Sequence, residues 1–153
     1  MTLMKRESFM KRVLFICTRN SSRSQMAEAL VNLDLAGKYE AFSAGTEPSS
    51  VNPLAIAAMK ELGVDISRKR SKGLDEFAGQ EFDYVITLCS QADEACPVFF
   101  GGTKKIHMGF PDPTATNGGE RIETFRKIRD QIRERVVEFL SAEFSSNRSG
   151  KGR

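Results

Sequence analysis

The chain is short of long apolar runs, of cysteine and of net charge, and each shortage removes a class of function. No apolar stretch approaches the roughly 20 residues that a bilayer-spanning helix needs, so no membrane role is expected. Lys11 and Arg12 stand ahead of an apolar run as in a signal peptide, but that run stops at polar Thr18 and Arg19, too soon for a secretory core. A cytoplasmic protein is expected. Three cysteines are an odd count and make no secreted disulfide framework; in a reducing compartment they suit redox or nucleophilic work. The net charge is only +3 and the densest basic cluster is Arg68-Lys69-Arg70 with Lys72 close behind, so no nucleic-acid partner is expected.

At 153 residues the sequence fits one domain. Residues 1–10 show no periodicity and are expected to form a disordered extension. Residues 145–153 are Ser, Gly and basic residues with one Asn, composition that predicts a disordered tail, which leaves 11–144 as the folded domain. Residues 13–16 read as a strand buried on both faces, and 24–33 as a helix capped by Ser24 or a near neighbour. A second strand over 39–44 is closed by Gly45, and a helix opens at Pro53 and stops at Gly63. A basic extended connection over 64–72 and a short helical piece over 74–78 precede strands at 82–88 and 105–110. The last helix is expected over 120–144, with Ile122, Phe125, Ile128, Ile132, Val136, Phe139 and Leu140 as its apolar stripe and Glu123, Lys127, Asp130, Glu134 and Glu138 facing water. Alternating strands and helices predict an α/β fold, a four-stranded parallel sheet flanked by helices on both faces.

The active site of such a sheet lies at the carboxyl ends of its strands. Cys17, Cys89 and the turn Pro111-Asp112-Pro113 all fall there. Cys17 opens a polar loop between the first strand and the first helix, and Arg23 follows at a C-x5-R spacing. Loop amides and the helix dipole make a site for a tetrahedral oxyanion. A cysteine at a helix N-terminus beside a cation falls below its reference pKa of about 8.5 and becomes a nucleophile near neutral pH. Arg23 offers a planar fork for two oxygens of the anion, and Ser21, Ser22 and Ser24 offer hydroxyl donors to the anion or the thiolate. An inert buried cysteine is the plain alternative; the arginine, the polar loop and the helix start together argue against it.

Cys89 and Cys96 flank a segment with fair helix propensity. In a helix their Cα atoms would lie about 10.5 Å apart, beyond the roughly 7 Å that a disulfide tolerates. Bridging them therefore requires the segment to unwind, an order-to-disorder switch. Cys89, Cys96 and His107 match no common zinc spacing, so no metal is expected, and His107 reads as a structural neighbour of the site. Asp112, stiffened between prolines and partly desolvated near a thiolate, is expected to stay protonated and act as general acid.

The chain resembles the thioredoxin-coupled arsenate reductases, the branch built on the low-molecular-weight protein tyrosine phosphatase fold. The resemblance rests on the motif from Cys17 through Glu28, on Ser43-Ala44-Gly45, on Val51-Asn52-Pro53, on Thr87-Leu88-Cys89 with Cys96-Pro97, and on His107-Met108-Gly109-Phe110-Pro111-Asp112-Pro113. It implies that arsenate is the substrate, held by Thr18, Arg19, Asn20, Ser21, Ser22, Arg23 and Ser24. It further implies that Cys17 attacks arsenate while Asp112 protonates the departing oxygen. Cys89 would then attack Cys17 and expel arsenite, and Cys96 would attack Cys89, presenting a disulfide to thioredoxin. The resemblance carries no cofactor, and a monomer is expected. Arg19 stands where relatives commonly have glycine, Ser22 where many have cysteine, and Met108 where tryptophan is frequent. Some members hold potassium through residues matching Asn20, Glu28 and Ser43 plus an aspartate; Lys72 matches that aspartate, and its ammonium would take over the ion's electrostatic role.

Two other functions use the same residues. A low-molecular-weight tyrosine phosphatase needs only Cys17, Arg23 and Asp112, although such enzymes place tyrosine after the Asp-Pro where this chain has Thr114. An anion-binding redox sensor would use the cysteines as a switch without turnover.

Overall fold

The computed structural model describes residues 10–89, 103–115 and 120–151. The expected extension over residues 1–10 therefore lies outside the described residues up to position 9, as do Cys96 and the segment proposed to unwind. Four strands, β1 (Lys11–Cys17), β2 (Tyr39–Gly45), β3 (Tyr84–Thr87) and β4 (Lys104–His107), form one sheet in the order β2-β1-β3-β4. Every pairing is parallel. Helices α1 (Arg23–Asp34), α2 (Pro53–Lys60), α3 (Ile122–Ile132) and α4 (Glu138–Lys151) complete the fold, with a short 3-10 turn at Leu74–Phe77.

The unbroken apolar run of β1 is explained by its place. It is a central strand with neighbours on both sides, and Val13 to Cys17 are buried. Val13 and Phe15 meet Met26 and Leu30 of α1, Ala58 and Met59 of α2, and Phe125, Ile128 and Ile132 of α3 in the larger core. Leu14, Ile16 and Val85 face the other way, into a smaller core with Phe77 and Phe82. There, among the described residues, the 3-10 turn supplies the cover, and Phe42, Phe77 and Phe82 stack edge to face with centroids 5.8 Å apart. Each such pair adds about 0.5–1.5 kcal/mol beyond area burial.

The C-terminal helical region differs from the single regular helix over 120–144 that the periodicity predicts. Arg133–Val137 forms a π-turn between α3 and α4. The reason lies in the stripe, for Ile128, Ile132, Val136 and Leu140 are spaced by four and all are buried. At 3.6 residues per turn, three successive four-residue steps would swing the stripe by roughly 120° away from the sheet. The wider π-turn takes up that drift and keeps all four side chains in the core. Helix α4 also continues to Lys151, past Ser145, where composition alone ends the fold. Extending an existing helix needs no new nucleus, so low-propensity residues can follow it.

Parallel pairing sets Cys17 opposite Gly45, Ile16 opposite Thr87, and Thr87 opposite His107. The sheet's carboxyl edge thus gathers β1, β2, β3 and β4 around one crevice. From β1 the chain passes to β2 on one side, while β3 pairs on the other, so Cys17 sits at the topological switch point. Gly45 permits the closest approach there. A Cβ at this position would lie 2.7 Å from the Thr18 carbonyl oxygen, 2.8 Å from the Asn20 nitrogen and 2.9 Å from the Arg19 carbonyl carbon. All three are backbone atoms that cannot swing aside, so Gly45→Ala should cost about 1–3 kcal/mol through overpacking. Urea unfolding of the variant at parental stability would contradict this placement.

Candidate active site

The loop after β1 is built around a buried asparagine. Asn20 has φ of 52°, the left-handed region that asparagine tolerates better than most residues, and it is fully buried. Its Nδ2 donates to Ser24 Oγ at 2.8 Å, while its Oδ1 accepts from Gln25 Nε2 at 2.9 Å and from the Lys72 N–H at 2.8 Å. Ser24 Oγ lies 2.9 Å from Cys17 Sγ. With Asn20 occupying an acceptor position on Ser24, the hydroxyl proton is left for the sulfur, an arrangement that suits a thiolate.

The outer side of the loop is strapped down by the segment after β2. The carbonyls of Cys17, Thr18, Arg19 and Ser21 accept from the N–H groups of Thr46, Glu47, Ser49 and Asn52, and Ser71 Oγ donates to Arg19 O at 2.6 Å. A trans peptide points its N–H opposite to its carbonyl, so the loop amides turn away from that strap. Helix α1 begins after Ser22, not at Ser24 as its composition first suggests, and no side chain caps it. Ser24 is committed to the sulfur, and Ser22 Oγ is buried with no hydrogen-bond partner among the described residues. The uncapped helix end and an unsatisfied hydroxyl are the donors that an incoming anion would meet.

A cleft of about 400 Å³ opens over this loop, lined by Cys17, Thr18, Arg19, Ser21, Ser22, Arg23, Glu47, Asp112 and Thr114. It brings together the nucleophile, the arginine and the acid named from sequence. Asn20 and Ser24, expected to bind substrate, do not line it; both are fully buried and act as scaffold. Arg23 Nη1 donates to Phe110 O at 3.1 Å, and its Nη2 lies 3.9 Å from Asp112 Oδ2. Cys89 is half-buried, and its Sγ is 3.2 Å from the Oγ1 of Thr18, the residue next to Cys17. His107 Nδ1 shares a hydrogen bond of 2.9 Å with Thr87 Oγ1, in keeping with a structural role.

Asp112 departs from expectation. Partial burial pushes its pKa up, but the N–H and hydroxyl of Thr114, at 2.9 and 2.8 Å from Oδ1, and the guanidinium groups of Arg23 and Arg19 outweigh burial. The carboxyl group ends below its ordinary range, so it is ionised at neutral pH in the free protein rather than held protonated. Sequence reasoning weighed desolvation and missed the hydrogen bonds, which belong to the Thr114 contact.

The site matched to potassium holds ammonium groups instead. Glu28 is buried; its Oε1 accepts from Ser43 Oγ at 2.6 Å and lies 3.9 Å from Lys72 Nζ, and its Oε2 is 3.2 Å from Lys69 Nζ. Burial lowers the Lys72 pKa, opposed by Glu28. With both carboxylate oxygens facing lysines and Asn20 Oδ1 already accepting two N–H groups, this donor set does not fit a metal cation.

Thr114→Val would keep side-chain shape and the N–H contact while deleting the hydroxyl donor. Asp112 should then titrate at higher pH in carboxyl-carbon NMR. Because its folded pKa is lowered, Asp112 contributes stability above its unfolded pKa that is lost as pH falls through the folded value, and the variant should lose part of that contribution. An unchanged titration would mean that Thr114 does not control the carboxylate.

The family model for low molecular weight phosphotyrosine protein phosphatase matches residues 12–149. An arsenate reductase from Halalkalibacterium halodurans is 41% identical over 131 residues, 84% of this chain and 94% of that protein. A solved arsenate reductase in a phosphate-binding state superimposes with a TM-score of 0.71 at 38% identity, covering 87% of this chain and 98% of that one. A thioredoxin-dependent arsenate reductase from Corynebacterium glutamicum aligns with a TM-score of 0.66 at 32% identity, covering 89% of this chain and 64% of that one. With the nucleophile loop, the parallel sheet and nearly all of the described fold matched, the chain belongs to the low molecular weight phosphotyrosine protein phosphatase family.

Proposed function

We propose that this protein, an arsenate reductase of the low molecular weight phosphatase family, works by a three-cysteine relay that thioredoxin regenerates. The observation that carries the reading is a second thiol at the nucleophile loop: Cys89 Sγ touches Thr18 Oγ1 at 3.2 Å. A phosphatase has no use for it.

Arsenate enters the cleft with its oxygens toward Arg23, the loop amides and Ser22. The Cys17 thiolate forms a sulfur–arsenic bond as one arsenic–oxygen bond breaks. Asp112 is ionised beforehand; the charge of the incoming oxyanion opposes that of the carboxylate, and the aspartate takes up a proton that it hands to the departing oxygen, released as water. Cys89 then attacks Cys17 sulfur. The sulfur–arsenic electron pair leaves with arsenic, which is reduced from the +5 to the +3 state, and a Cys17–Cys89 disulfide forms. Attack by Cys96 on Cys89 frees Cys17 and moves the disulfide to Cys89 and Cys96, and a dithiol of thioredoxin reduces it. Two thiols supply the two electrons. The named thioredoxin dependence of the Corynebacterium glutamicum relative supports that choice of reductant.

Phosphatase activity is the second reading, favoured by a cleft whose lining already contains Cys17, Arg23 and Asp112 without Cys89. The two separate in an assay that follows NADPH oxidation with thioredoxin and thioredoxin reductase, with and without arsenate. Arsenate-dependent turnover should vanish in Cys17→Ser, Cys89→Ser and Cys96→Ser. Absence of turnover in the parent, together with aryl phosphate hydrolysis that survives Cys89→Ser, would establish a phosphatase instead.

A further inference from the structure

We propose that Arg135 is a positioning residue for the oxyanion site, clamping from the π-turn the Gly109–Phe110 peptide, which leads directly into the Phe110 carbonyl that orients Arg23. This deepens the reading of the Cys17 loop as an anion site and rests on it. Arg135 lies in the π-turn Arg133–Val137, far from the nucleophile loop in sequence. Its Nη1 donates to Gly109 O at 3.1 Å, and its guanidinium carbon sits 4.5 Å from the centroid of the Phe110 ring. The Phe110 carbonyl in turn accepts from Arg23 Nη1 at 3.1 Å.

The two contacts hold one peptide from both ends. A hydrogen bond fixes Gly109 and a stacked guanidinium covers Phe110, whose N–H is already tied to Leu88 O at 3.0 Å. The segment then runs directly into Pro111 and Asp112. Arg23 has no carboxylate at close hydrogen-bonding distance among the described residues; Asp112 is 3.9 Å away. The Phe110 carbonyl is therefore its nearest anchor, and the direction of the guanidinium fork depends on where that carbonyl points. A planar, stacked arginine suits this clamp, whereas lysine could supply charge and a donor but no flat face.

Arg133 provides an internal control. It lies in the same π-turn but pairs with Asp34 at 2.7 Å, away from the site. Arg135→Ala, Arg135→Lys and Arg133→Ala would be compared by two readouts. Nitrogen-15 NMR would follow rotation of the Arg23 side chain about its Nε–Cζ bond, and calorimetry would follow binding of inorganic phosphate. Arg135→Ala should free that rotation and weaken phosphate binding about tenfold. Arg135→Lys should recover only part of both, and Arg133→Ala should lower the melting temperature while leaving both unchanged. Unaltered Arg23 rotation in Arg135→Ala, or an equal change in Arg133→Ala, would overturn the proposal. A parent that binds no phosphate while its Arg23 rotation still responds to Arg135→Ala would overturn the anion-site reading and keep the clamp.

Discussion

The hydrogen bond between Ser24 and Cys17 depends on a left-handed backbone turn at Asn20, and most of the site depends on that turn. Asn20 holds Ser24 on one side and Gln25 and the Lys72 backbone on the other, so one buried amide ties the loop, the first turn of α1 and the 70–72 segment together. Gly45 leaves the space in which the turn fits, and the strap over 46–52 takes up the loop's carbonyls. Each constraint comes from a different part of the chain. Together they fix a polar loop that would otherwise lose its shape, and they do so without using the groups that face the cleft.

The cleft lining carries two arginines, Arg19 and Arg23, and two acidic residues, Asp112 and Glu47. Against the upward push of burial, the N–H and hydroxyl of Thr114, and after them Arg23 and Arg19, lower the pKa of Asp112. The free protein therefore holds a carboxylate at the mouth of an anion site, which keeps the two guanidinium groups partly neutralised until an oxyanion replaces that role. On the opposite side of the loop, Glu28 is balanced by Lys69 and Lys72.

Much of this was legible in sequence because the signals were local. The strand before Cys17, the C-x5-R spacing and the Pro53 helix start each depend on neighbours within a few residues. The cluster of Cys17, Cys89 and Asp112 followed from one rule about parallel sheets. What escaped were the Arg135 contact with Gly109, which joins residues far apart, and the π-turn. The π-turn left a trace, the run of four-residue spacings from Ile128 to Leu140, but only the sheet's position shows which way that drift must be absorbed. For Asp112 the sequence suggests stiffening by the prolines and partial desolvation, whereas the competing hydrogen bonds come from the backbone N–H and the hydroxyl of Thr114, whose direction only the folded turn sets.

In the proposed relay, arsenic is reduced by the chain's own thiols. One equivalent of arsenate added to fully reduced protein without any external reductant, followed by thiol counting and peptide mapping, tests it most directly. The relay should yield one arsenite per chain, the loss of two of the three thiols, and a Cys89–Cys96 disulfide in the map. Three intact thiols and unreduced arsenate would contradict it.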